Sequence, residues 1–204
     1  MEIERLAEEE IAQIYKTYMK RDFPPSELKP LKRIIKSERE GYGFTLGIYG
    51  EGKLAGYAVF ILCEETRCAL LDYFAILKDR RGEGCGHQAF ALFETYFQEN
   101  LPEMEGIYIE SERVSAAKDG KQRLTRERRI AFYRSCGCEM TKMRSVLFGV
   151  DYSVLYKTFL NNRGGASREA LDALYRKMFK PGHYARFVRL TEAEKTPGKS
   201  PAFD

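Results

Sequence analysis

The chain has 204 residues, with 34 Lys and Arg against 30 Asp and Glu, only two His and 44% hydrophobic residues, for a formal net charge of +4. That length and apolar content fit one ordinary domain with a real core and exclude wholesale disorder. No apolar run approaches the roughly 18 residues that a membrane span needs. The start, Met1-Glu2-Ile3-Glu4-Arg5, lacks the basic end and apolar core of a signal peptide, so a cytoplasmic location is expected. Cys63, Cys68, Cys85, Cys136 and Cys138 are odd in number and form no C-x-x-C knuckles. With His87 and His183 the only histidines, neither a disulfide framework nor a metal site is expected.

Residues 7–21 place Ile11, Ile14, Tyr15 and Met19 at helical spacing behind three acids that suit a helix start. Asp22-Phe23-Pro24-Pro25 breaks that helix, and Ser26 is the expected cap of a second one carrying Leu28, Leu31, Ile34 and Ile35. Three strands follow. Phe44, Leu46 and Ile48 alternate, Gly50-Glu51-Gly52-Lys53 reads as a hairpin turn, Leu54–Cys63 is apolar on both faces, and Cys68–Leu77 completes a meander. The cluster Arg81-Gly82-Glu83-Gly84-Cys85-Gly86 opens an amphipathic helix that Pro102 closes. Gly106–Glu110 is a short strand, 114–123 a polar loop, and Thr125 to Cys136 a helix ended by Gly137 in a left-handed conformation. Strands are expected near Thr141–Phe148 and Tyr152–Phe159, then a linker over 161–165, and a helix capped by Ser167 and stopped by Pro181-Gly182. Tyr184–Leu190 reads as a further strand, and the polar segment from Thr191 onward as a disordered tail.

The glycine cluster carries the chemistry. Glycines admit positive φ and close backbone approach, and N–H groups converging on a helix N-terminus favour phosphate. A plain turn that starts a helix is the competing reading. A Walker loop is excluded because His87-Gln88 follow Gly86 in place of Lys-Ser/Thr. A dinucleotide fingerprint is excluded because these glycines follow a later strand of a meander and not the first strand of a parallel unit.

Arg81-x-x-Gly84-x-Gly86 after Ala75-Ile76, followed at a distance by Ala131-Phe132-Tyr133-Arg134-Ser135-Cys136-Gly137, resembles the GNAT superfamily of acyl-CoA-dependent N-acyltransferases over about residues 3–160. Cys138 replaces the usual Phe, and the family's frequent Asn after the fifth strand is missing. The resemblance implies an α+β (α/β) fold: a mixed, mostly antiparallel sheet flanked by helices, here with a C-terminal helix–strand extension. The expected division is an N-acetyltransferase domain over 1–163, an extension over 164–190 packed on the core, and the tail over 191–204. The implied activity moves an acetyl group from acetyl-CoA to a primary amine by direct attack in a ternary complex; the alternative is a non-catalytic CoA-binding sensor or scaffold. The implied acceptor is a small amine, amino acid or peptide, with neither membrane nor nucleic acid as partner and a homodimer as an option.

For CoA the resemblance implies a pyrophosphate on the backbone from Gly82 through Glu83, Gly84, Cys85 and Gly86 to His87, supported by Arg81, and pantetheine amides along Phe74, Ala75 and Ile76, exposed where the fourth and fifth strands splay. Tyr133 matches the family's usual acid for the departing thiolate, although it shares a face with Ile130 and Cys136 and could serve as packing alone. A protonated amine must lose its proton before attack, which calls for a base. Asp72, a carboxylate in an apolar strand, and Glu110, at the end of the fifth strand beside Glu112, are the candidates; salt bridges to the nearby Arg-rich helix are the alternative. Cys85 would lie by the phosphates, too far from the thioester for a covalent route. The first two helices, the 113–124 loop and the connection between the last two core strands are expected to shape the acceptor pocket.

From Arg113 to Arg134 the chain carries eight basic residues and two acids, a net +6 that leaves −2 for the rest. Three readings stand for this strip: a solvated face, a contact to the CoA 3′-phosphate, or attraction of an acidic partner.

Overall fold

The computed structural model describes residues 1–159 and 165–192. Its elements, in chain order, are β1 (Glu2–Arg5), α1 (Glu8–Ile14), a π-helical turn (Tyr15–Met19), α2 (Lys20–Asp22), α3 (Leu31–Arg39), β2 (Gly43–Gly50), β3 (Lys53–Cys63), β4 (Cys68–Ile76), α4 (Cys85–Asn100), β5 (Gly106–Glu112), α5 (Gly120–Ser135), β6 (Glu139–Leu147), β7 (Val150–Thr158), α6 (Arg168–Met178), α7 (Pro181–Phe187) and β8 (Val188–Glu192). The strands form one sheet in the order β1-β2-β3-β4-β5-β7-β6-β8. Every pair is antiparallel except β4–β5. This is the mixed, helix-flanked sheet expected.

Strand alternation sends the two faces of β3 into different cores. Ala58, Phe60 and Leu62 pack with Phe90, Phe93 and Phe97 of α4 and with Tyr133 of α5. On the other face, Tyr57 and Val59 meet α1 and α3, while Ile61 and Cys63 meet Leu171, Leu174 and Tyr175 of α6. An apolar run buried on both sides thus reads as near-continuous, as a central strand should.

Several local expectations need correction. The polar start at Glu2–Arg5 is a strand, pairing Ile3 with Ile48 on the sheet edge. Ser26 caps nothing; it lies in the turn before α3, which begins after Pro30, where a fixed φ and a missing N–H cost least. The 114–123 loop is shorter than expected, because the Asp119 carboxylate accepts from the Gln122 N–H and starts α5 at Gly120. Tyr184 is helical, and the last strand starts only at Val188. Ser167 does cap α6, accepting from the Ala170 N–H at 3.1 Å. Thr191 and Glu192 end β8, paired to β6. The linker residues 160–164 and the tail from 193 lie outside the described residues.

Two irregularities position the site. Val59 pairs with Tyr73 but Phe60 pairs with Leu71, so Asp72 is an extra residue with no partner opposite it. This bulge reverses the strand's facing: Ala69 and Leu71 point toward α4, and after it Phe74 and Ile76 do so while Tyr73 and Ala75 turn toward α1 and α3. The second irregularity is the brevity of the β4–β5 ladder, which runs from Cys68–Gly106 to Leu71–Ile109 and stops. Beyond it β5 stays with β7 through Glu112, and the two strands diverge. The Leu77 N–H bonds back to the Ala55 carbonyl on β3 at 2.8 Å. By alternation, the amide groups of Phe74 and Ile76 face the opened edge.

Candidate active site

The divergence opens one cleft of about 1360 Å³ running from the glycine loop to the far end of α6. On one side it is walled by Phe74, Ala75, Ile76, the 81–87 loop, Phe132 and Tyr133, and on the other by the α2–α3 connection, the β6–β7 turn and the end of α6, with Asp72 and Glu110 between.

The glycine loop is shaped by two different constraints. Gly82 and Gly84 adopt φ of +88° and +76°, the left-handed region that side chains enter at a cost of about 1–2 kcal/mol. Gly86 is needed for packing instead: a Cβ there would sit 3.1 Å from the Phe132 ring of α5. Among the described residues, the N–H groups of 82–86 take no backbone acceptor, whereas the N–H groups of His87 and Gln88 bond to the Gly84 carbonyl. The free donors therefore end one residue before His87. Arg81 donates from Nε to the Ile76 carbonyl at 2.8 Å, tying the loop to the strand end. Cys85 opens α4 beside these donors. His87 turns its ring to Ser135 Oγ at 2.9 Å and to Phe132.

The three candidate catalytic residues all line this cleft, but they differ sharply in environment. Tyr133 is buried on α5 against Phe90 and Phe132. Burial raises its phenol well above the usual range, so it stays protonated at neutral pH. Asp72 is gripped through both carboxylate oxygens by Lys29 Nζ, at 2.6 and 2.7 Å. Lys29 is itself held: its N–H donates to Tyr73 Oη, and its carbonyl accepts from Tyr15 Oη. Among the described residues, no cation is bonded to Glu110. It accepts from Tyr175 Oη at 2.6 Å and from Ser145 Oγ. Burial pushes its pKa up, against the pull of those two hydroxyls. Glu112 on the same face is spent on Arg126 and Arg129 of α5.

Glu27 is a cleft carboxylate that the sequence reading missed. It sits in the α2–α3 connection, faces Tyr152 Oη at 3.5 Å, and is shifted upward by burial and by the charge of Glu112. A polar residue in an irregular segment gives no periodic signal, which is why it passed unnoticed. No residue from 113 to 124 lines the cleft among the described residues, contrary to expectation; Met178, Phe179 and His183 of the C-terminal segment do. In the basic strip, Arg113 pairs with Asp151, and Arg123 with Glu127, while Arg128 lines the cleft.

A family model described as the acetyltransferase (GNAT) family matches residues 8–138. The chain belongs to the GNAT acetyltransferase family. It is accordingly an acyltransferase. No curated protein sequence matches it. Among solved structures, spermidine N-acetyltransferase from Vibrio cholerae, in complex with CoA and spermine, matches with a TM-score of 0.60 at 14% identity, over 78% of this chain and 98% of that one. A GNAT-family protein from Bacteroides thetaiotaomicron matches with a TM-score of 0.62 at 14% identity, over 83% and 90%. At such identities these likenesses speak for the GNAT fold alone. No helix among the described residues is long and apolar enough to cross a membrane.

Proposed function

We propose that this GNAT protein transfers an acetyl group from acetyl-CoA to a primary amine by direct attack in a ternary complex, with Glu110 as the base. The observation that carries the reading is the placement of Glu110: a carboxylate without a bonded cation, raised in pKa, at the point where β4 and β5 part. The pyrophosphate would rest on the N–H groups of 82–86, with Arg81 and Arg128 at hand for phosphate charge. The pantetheine amides would pair with Phe74 and Ile76 as an added strand, which delivers the thioester into the splay.

The proton accounting follows from the residues. The ammonium form of the acceptor cannot attack, so Glu110, directly or through a water, takes one proton. The free amine then adds to the thioester carbonyl, and the carbon–sulfur bond breaks as the tetrahedral adduct collapses. Tyr133, held in its protonated form by burial, gives its proton to the leaving thiolate and is restored by the second proton that the nitrogen sheds as it becomes an amide. Asp72 is the weaker candidate for base because Lys29 neutralises it; its part is to hold Lys29 and the α2–α3 connection against the cleft. A CoA-binding sensor would need the same loop but would not need Glu110 kept free of cations.

The test is amine-dependent CoA release from acetyl-CoA, followed across pH in the wild-type chain and in Glu110→Gln. Intersecting initial-rate patterns, and loss of the acidic limb in the variant, are expected. Acetyl-CoA binding without amine-dependent CoA release would return the chain to the sensor reading.

A further inference from the structure

Much of the cleft wall opposite the glycine loop comes from segments beyond residue 138, where the family match stops. Leu147 and Phe148 come from the β6–β7 turn, and Met178 and Phe179 from the end of α6. Phe148 is 45% exposed, although its backbone sits at φ +50° in a two-residue turn with Gly149. A bulky side chain rarely occupies that region, and such outliers gather at functional sites. The ring is not loose. It stacks on Phe187 with centroids 4.8 Å apart and meets Phe179 at 5.4 Å. Phe179 in turn lies 5.7 Å from Lys29 Nζ, the cation that grips Asp72. An aromatic wall therefore begins one side chain away from the transfer point.

The charges argue in the same direction. Among the described residues, seven Lys and Arg line the cleft against five Asp and Glu. Of those five, Asp22 is bonded by Arg21 and Tyr57, Asp72 by Lys29, Glu112 by Arg126 and Arg129, and Glu110 by Tyr175 and Ser145. An acceptor with several ammonium groups would find only Glu27 lightly held, and would face Lys32 and Arg33. A single amine on an apolar skeleton meets no such opposition.

Taking the acetyltransferase reading as given, we infer that the acceptor is a primary amine bearing an aryl or comparably bulky apolar group, which seats against Phe148 and Phe179. The C-terminal segment thereby sets acceptor specificity, and Phe148 is its main determinant.

The experiment uses the full chain and three probes: 2-phenylethylamine, ethanolamine and spermidine. Acetyl-CoA affinity is measured first by calorimetry. CoA release with each amine follows, and then calorimetric binding of 2-phenylethylamine to the CoA-loaded protein. The aryl amine is expected to exceed both others in kcat/KM by about tenfold or more. Phe148→Asn keeps a residue that accepts the left-handed backbone. It is expected to raise the KM and Kd for 2-phenylethylamine about tenfold while leaving acetyl-CoA affinity intact. A preference for spermidine or ethanolamine, no binding of 2-phenylethylamine to the CoA complex, or an unchanged KM in Phe148→Asn would each overturn the inference. Failure of the wild-type chain to bind acetyl-CoA would instead contradict the reading on which the inference rests.

Discussion

The two ends of the cleft are made in opposite ways. The proposed CoA end is one continuous stretch of chain, from Phe74 through the glycine loop into α4, and the groups it would use are backbone N–H and C=O. The proposed acceptor end is assembled from four segments far apart in sequence, and its proposed working groups are the side chains of Glu27, Glu110, Phe148 and Phe179. A backbone site needs only the right turn chemistry at fixed spacing, so many sequences can build it. A side-chain site depends on which distant elements meet, so it can vary while the fold stays. That contrast gives a physical reason why one cleft can keep its co-substrate and change its acceptor.

The contrast can be broken experimentally, beginning at the CoA end. Gly84→Val puts a branched side chain at φ +76°, where the loop must rearrange. Its acetyl-CoA Kd is expected to rise by more than about tenfold, the strain alone costing about 1–2 kcal/mol; an unchanged Kd in calorimetry would mean that these N–H groups hold nothing.

The next largest effect separates chemistry from binding. Glu110→Gln is expected to lower kcat by about 10²- to 10⁴-fold, the range for a positioned base, with acetyl-CoA affinity preserved. The same variant has a sign-definite effect on stability. Burial raises the folded pKa of Glu110 above its unfolded value, so the folded chain holds that proton more tightly. The linked stability is full below the ordinary carboxylate pKa and is lost as pH rises through the raised one. Glu110→Gln escapes that loss, so its melting temperature relative to wild type should climb as pH rises above the ordinary carboxylate pKa. Tyr175→Phe removes a hydrogen bond that favours the ionised form, and is expected to move the acidic limb of the rate profile to higher pH. A limb that does not move would leave Tyr175 as packing only.

Smaller effects sharpen the picture. Tyr133 has ring contacts but no hydrogen-bond partner among the described residues. Tyr133→Phe should therefore leave the melting temperature near wild type and lower kcat by at least the ~10²-fold that marks a working acid; a wild-type kcat would assign the residue to the core. Ser167→Ala deletes the α6 cap, which is worth about 1 kcal/mol. For a chain of this size that is a loss of about 2–4 °C in melting temperature. Because α6 carries Tyr175 and leads into Phe179, a wild-type KM for amines in Ser167→Ala would show that the helix stays seated once formed.

Legibility in the sequence follows the same division. The meander, the α4 start and the left-handed Gly137, at φ +81°, could be read because turn residues and periodicity are local signals. Arg81, Gly84 and Gly86 could be read because their spacing encodes a loop, even though the packing of Gly86 against Phe132 is not visible in that spacing. The bulge at Asp72 could not be read, since it is a mismatch between two strands and no single strand records it. The Lys29–Asp72 pair joins residues 43 positions apart, and the Tyr175–Glu110 bond joins residues 65 apart. Both hinge on which face each element buries. Phe148 looked like the end of a strand because an aromatic beside a glycine is a weak turn signal; the structure puts it in the turn itself.

Amine-dependent CoA release from acetyl-CoA by the full chain, read together with acetyl-CoA affinity in the wild type and in Glu110→Gln, is the most direct test of acetyl transfer through Glu110. Equal affinities, release that needs an amine, intersecting initial-rate lines, and a collapse of turnover in the variant are expected. Equal affinities with equal turnover, or tight acetyl-CoA binding with no amine-dependent release at all, would contradict it.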